Sequence, residues 1–158
     1  MTEAQELLNG ARRMAIYLDE LQRNREKLIA SVAGAKSPKI RDPEMIVQFS
    51  RDTSDHMADV VAEVSDLDDE IEKTREALRS RRERLRKMIR RINRRDLIRI
   101  MRLYYLSPFK VIRERGTERR ELRTWNDIAD IMNLTRDPVM KRKKKLEEKV
   151  DELIRAGM

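Results

Sequence analysis

Residues 124–135 read TWNDIADIMNLT, and residues 137–154 follow as DPVMKRKKKLEEKVDELI. Together they predict two helices joined by a tight turn. Thr124 suits an N-cap, and Asp127 stands at N3, where a carboxylate favours helix initiation. Trp125, Ile128, Ala129 and Met132 recur at three- and four-residue steps and so share one face. Ala129 is small, as a close helix crossing requires. Asn133 falls at the turn, where positive φ is wanted and Asn is second only to Gly. Leu134 points back toward the core. Thr135 or Asp137 can cap the second helix, and Pro138 fits its first turn. Val139 lies ten residues after Ala129, and Leu146, Val150 and Leu153 extend the same buried face.

This is the layout of a helix-turn-helix whose second helix is basic. From Arg136 to Lys145 there are six basic residues and one acid, spread round the helix. A recognition helix lies in the major groove with its N-terminal residues on base edges. On that geometry Arg136, Met140, Lys141 and Lys144 face the bases. Arg142, Lys143 and Lys145 meet phosphates, which position a protein without reading sequence. The plainer reading is a solvated basic face on two ordinary amphipathic helices.

Composition sets the frame. The chain has 158 residues, 42% of them charged and 4% aromatic, which suits long solvated helices. The net charge of +8 favours a polyanionic partner. There is no cysteine, hence no disulfide framework and no thiolate metal site. No apolar run reaches membrane-spanning length and no signal-peptide core opens the chain, so a cytoplasmic protein is expected. No catalytic constellation is visible. His56 is the single histidine, placed on an acidic helix surface, and no glycine-rich phosphate loop occurs. The expectation is a protein that is not an enzyme and carries no cofactor or metal.

Two amphipathic stripes precede this segment. Leu7, Ala11, Met14, Leu18, Leu21, Arg25, Leu28 and Val32 alternate by four and three, interrupted once by Arg25. Gly34, Ser37, Pro38 and Pro43 mark a loop near 33–43. The second stripe runs through Met57, Val60, Val64, Leu67, Ile71, Thr74, Leu78, Arg81, Leu85, Met88 and Ile92. A helix from Glu44 to Ile92 is roughly 70 Å long and the first roughly 45 Å. An antiparallel hairpin therefore leaves the stripe around 74–92 uncovered, and that surplus predicts self-association as a dimer or higher oligomer. Charge also splits along the second helix. Residues 44–76 hold eleven acids and three bases, residues 79–102 twelve bases and two acids. The basic end, with Arg90, Arg91, Arg94 and Arg95, is placed to grip flanking DNA backbone or an acidic protein surface.

Residues 96–106 predict a short apolar helix supporting the basic pair, with Tyr104 and Tyr105 as core or rim residues. Residues 107–123, SPFKVIRERGTERRELR, form a basic connector broken at Gly116. It is either a short helix and turn or a wing-like loop, and it adds Arg119, Arg120 and Arg123 as backbone contacts. The expected fold is all-α: an N-terminal antiparallel coiled-coil hairpin over 1–93 serving oligomerisation, then a helix-turn-helix domain over 94–158 that folds by itself.

The run RRDLIRIMRLYYL, the segment TWNDIADIMNLT and the helix carrying Val139 resemble region four of bacterial sigma factors. The layout as a whole resembles small phage regulators with a region-four-like domain, the late-gene and packaging or lysis regulators of the RinA and ArpU type. In that group a coiled coil precedes a Tyr-rich apolar helix and a Trp-Xaa-Xaa-Ile-Ala helix, here Leu103–Leu106 and Trp125–Ala129. The motifs cover about a third of the chain, and the coiled coil matches in type only. Two departures stand out: the long connector 107–123, and Arg142 where an apolar residue is expected. The resemblance implies a phage or prophage transcription regulator that binds promoter DNA, and the leading expectation is an activator acting on double-stranded DNA in a bacterial host cell. Two alternatives stay open. One is a phage small terminase subunit on packaging-site DNA. The other is a coiled-coil adaptor whose basic face meets an acidic partner such as RNA polymerase.

Overall fold

The structure, a computed structural model, describes residues 1–34 and 43–158, with side chains described outside 33–55. The loop expected near 33–43 lies largely outside the described residues. The chain is mostly helical: α1 (Glu3–Gly34), α2 (Pro43–Ile89), α3 (Arg95–Ile100), a π-helical turn (Met101–Leu106), α4 (Trp125–Ile131) and α5 (Arg136–Arg155). Between the π turn and α4 stand two strands, β1 (Phe109–Glu114) and β2 (Thr117–Leu122).

The fold class therefore departs from all-α at the connector, which is an antiparallel β-ribbon pairing Phe109 with Leu122 through Glu114 with Thr117. Arg115 and Gly116 form its two-residue turn, both at positive φ (48° and 79°). Two such residues give the turn whose twist matches that of the strands. Val111, Ile112 and Thr117 supply β-branched side chains.

Two compact units result, residues 17–75 and residues 1–16 with 76–158. The unit of residues 17–75 buries Leu21, Val60 and Ile71. Arg25, the break in the first stripe, pairs with Asp68 at 2.6 Å. The Tyr17 hydroxyl donates to Glu70.

The other unit holds one core. Leu85, Met88 and Ile92 are buried there with Ala4, Leu7, Leu8 and Ala11 of α1, and with Leu97, Ile100, Met101, Tyr105, Ile128, Val139, Leu146 and Val150. Leu78 is buried as well. The stripe that the helix lengths left uncovered is thus covered within a single chain. The length argument for self-association fails because the C-terminal elements, not a second copy, supply the missing cover. The start of α1 also carries a second apolar row, Ala4, Leu8 and Ala15, beside the Leu7–Ala11 row.

Polar contacts fasten α1 to this core. Thr2 and Gln5 cap the helix start reciprocally, side chain to backbone amide, at 3.1 and 3.2 Å. The Ala4 amide donates to Asp151 Oδ1 and Gln5 Nε2 to Glu147 Oε2, each at 3.1 Å. The apolar helix expected over 96–106 is continuous but changes register. The Ser107 amide reaches back five residues to the Arg102 carbonyl at 2.9 Å, the π pattern.

Candidate nucleic-acid interface

The pair α4–α5 forms as its residues dictate. Thr124 is the N-cap of α4: its Oγ1 accepts the Asp127 amide at 3.3 Å, and Asp127 Oδ2 accepts the Thr124 amide at 2.8 Å. Lys110 of β1 adds a 2.8 Å ion pair to the same carboxylate. The Lys110 hydrogen bond first, and the Thr124 amide second, hold the Asp127 carboxyl below the usual carboxylate range. The ribbon is thereby tied to the start of α4. The turn passes through Asn133 at φ 54°, and the Leu134 amide donates to the Ala129 carbonyl at 2.9 Å. Thr135 occupies the N-cap position of α5 without a side-chain hydrogen bond, and Pro138 sits in the first turn. Ala129 and Val139 are both buried, as their ten-residue spacing requires.

The basic residues of α5 divide into two groups. Arg136, Lys141, Lys144 and Lys145 are exposed and form no ion pair among the described residues, and Met140 beside them is half-buried. Arg142 and Lys143 turn inward. Arg142 Nε pairs with Asp96 at 3.0 Å, and its Nη1 is buried with no hydrogen-bond partner. Asp96 also pairs with Arg94 at 2.7 Å. Burial pushes the Asp96 carboxyl up, but the Arg94 hydrogen bond, the Leu97 amide and the charges of Arg94 and Arg142 outweigh it and hold it below its ordinary value. Lys143 lies 3.8 Å from Glu147 and 5.3 Å over the Trp125 ring.

The remaining expected contacts scatter. Arg91 and Arg94 line a hollow with Lys145 and Lys149, opposite Glu148 and Glu152. Arg95 is exposed, and Arg90 lines a different hollow on the π-turn side. Arg119 bonds Glu121 at 3.2 Å, and Arg120 lies 4.6 Å over the Phe109 ring. Arg123 is a structural residue. Its guanidinium donates to the Leu103 and Ser107 carbonyls, and its amide closes the ribbon on the Pro108 carbonyl at 2.7 Å.

One cluster escaped the sequence reading. Arg12 stands 3.7 Å over Tyr104, Tyr104 stacks on Trp125 at 3.8 Å and 20°, and Lys143 covers the far side of Trp125. Arg12 also donates to the Tyr104 and Arg123 carbonyls, both at 2.8 Å. Burial lowers its pKa. The four layers join α1, the π turn, α4 and α5, so the Tyr-rich segment and Trp125 serve packing. The one signal for Arg12 in the sequence is that it continues the Ala4–Leu8 row by four residues. Tyr105 is fully buried, and burial raises its hydroxyl pKa.

Charge follows the two units. The unit of residues 17–75 has nine bases and fourteen acids, net −5, and the other has 28 and 15, net +13. Among the described residues no group of three or more His, Cys, Asp or Glu is placed to hold a metal ion, and no helix is long and apolar enough to cross a membrane. Comparison with protein-family models, with curated proteins and with solved structures finds no match.

Proposed function

We propose that the protein is a sequence-specific regulator of transcription that binds double-stranded DNA, of phage or prophage type, with α4–turn–α5 as its helix-turn-helix. In this reading α5 enters the major groove and α1 pairs with α2 as an antiparallel coiled-coil hairpin. The observation that carries the reading is the division of charge on α5. Its inward cations are neutralised by Asp96 and Glu147, whereas Arg136, Lys141 and Lys144 stand exposed along the N-terminal half with no acid paired to them among the described residues. That is where a recognition helix meets base edges. The +13 charge of the same unit supports a polyanionic ligand. The ribbon, rooted on Asp127 through Lys110, stands as a wing beside the start of α4 and carries Arg113 and Arg115 on its exposed surface.

The test is selection of bound duplexes from a random-sequence pool, followed by affinity measurement across salt. A common sequence is expected, with log affinity falling against log salt at a slope of about −4 to −5 if roughly five phosphates are contacted. Lys141→Ala is expected to cost roughly 1–3 kcal/mol of discrimination. Absence of duplex binding at low salt, or a slope near zero, sinks the reading.

A further inference from the structure

We infer that Arg86, Arg90 and Arg102 form a phosphate-binding hollow that grips the backbone of the same duplex outside the groove read by α5. The inference rests on the DNA-binding reading above.

The hollow is lined by Arg86, Ile89 and Arg90 from the end of α2, and by Arg102, Leu106 and Ser107 from the π turn and its exit. Three arginines line it, and no acidic residue does among the described residues. None of the three makes a side-chain hydrogen bond or ion pair among the described residues. Elsewhere in this unit Arg94, Arg113, Arg119 and Arg142 each have an acid within 4 Å.

The arrangement carries an unfavourable electrostatic load. Arg82, Arg86 and Arg90 follow at four-residue steps, and like charges at that spacing oppose one another on a helix. Burial first, and the Arg86 charge second, lower the Arg82 pKa, and Arg82 Nε is buried with no hydrogen-bond partner. An anion in the hollow relieves this repulsion. Guanidinium forks match the tetrahedral oxygens of a phosphate, and the apolar sides supplied by Ile89 and Leu106 reduce competition from water.

Geometry favours a phosphodiester chain over a free anion. Arg86 to Arg90 spans roughly 6 Å along the chain axis, and Arg102 stands on a second element, a short track rather than a point. A DNA strand presents a phosphate about every 3.4 Å of its axis, so such a track meets more than one. One lining residue, Ser107, is also bonded to the segment that leads into α4. The Ser107 carbonyl accepts from Arg123, the residue before the N-cap of α4.

The test uses the full-length protein and a selected duplex of about 30 bp, near three helical turns. Ethylation interference on the wild type is expected to mark phosphates beyond the recognised bases. Arg86→Gln/Arg102→Gln is expected to lose interference at those positions. Its log–log salt slope should be shallower by about 2, near 0.9 per phosphate released. Its ratio of specific to random affinity should not change, because these contacts carry no sequence information. Arg86→Lys/Arg102→Lys, which keeps both charges, should retain the slope, and unchanged circular dichroism of both variants separates contact loss from unfolding. Lys141→Ala should do the reverse: lose the ratio and keep the outer phosphates. If the Gln variant shows the wild-type slope and interference pattern, the hollow does not bind DNA and the α5 reading stands. Should the wild type bind no duplex, both are overturned.

Discussion

Lys141 and Arg142 are neighbours in a run of five basic residues and have opposite fates. One residue of helix turns the side chain by about 100°, enough to swing Arg142 from solvent onto Asp96. Arg142 thus stands where an apolar residue is expected, with its stem packed and its charge met by an acid from α3. Arg142→Ala is expected to lower the unfolding free energy by about 1 kcal/mol, since the pair is partly exposed, and to leave base discrimination intact. Lys141→Ala should show the converse, with stability inside about ±0.5 kcal/mol. Chemical denaturation and a specific-to-random binding ratio, measured on both variants, separate the two roles. A larger loss of discrimination from Arg142→Ala than from Lys141→Ala reverses the assignment.

At the scale of elements, α4 depends on its ends. It has seven residues, too few to persist by propensity, and its capping box fixes the first turn. Thr124→Ala is expected to cost about 1 kcal/mol of stability. The same box sets a pH response. Asp127 and Asp96 both have folded-state pKa values below their ordinary 3.8. Depressed carboxyl pKa values add stability that is fully present above the unfolded value and is lost as pH falls through the folded one. Stability should therefore fall on acidification below about pH 4, and Asp96→Asn/Asp127→Asn should flatten that fall in acid-titrated unfolding curves. An unchanged acid limb shows that other carboxylates dominate.

The ribbon is the element the sequence hid. Residues 109–122 hold five bases and three acids and show no apolar alternation, because both faces are largely exposed. Cross-strand charge pairs such as Arg113–Glu118 at 2.9 Å, not a buried face, accompany the pairing. The turn places Arg115 at positive φ, which costs a non-glycine residue roughly 1–2 kcal/mol. Arg115→Asn, the residue preferred there, is expected to slow amide hydrogen exchange across 109–122. Faster exchange in the Asn variant would refute the strain argument.

At the scale of the whole molecule, the shared core decides what can be cut. Residues 94–158 alone lack Ala4, Leu8, Ala11, Leu85 and Met88, all buried with them. The C-terminal segment is accordingly expected not to fold by itself, contrary to the expectation from sequence. Leu85 is fully buried within one chain, so Leu85→Glu places an unpaired charge in the core. The outcome to expect is loss of cooperative unfolding, with even Leu85→Ala costing about 2–5 kcal/mol. Circular dichroism with sedimentation is the check. A folded Leu85→Glu protein of lower mass than the wild type would return the stripe to a subunit interface.

What the sequence determined by itself is local. Thr124 and Asp127 as cap, Asn133 at the turn, Ala129 and Val139 as buried positions and the two long amphipathic stripes were all legible, because each acts within a few residues or one helical period. The tertiary structure alone decided what covers each face and which charges remain outside. Arg25 finds Asp68, Arg12 finds the Tyr104 carbonyl and Arg142 finds Asp96, each across a separation that no periodicity encodes. Periodicity shows that a face is apolar and not what lies against it. The stripe through Leu85 therefore looked like a subunit interface, while the chain's own α1, α3 and α5 were there to bury it.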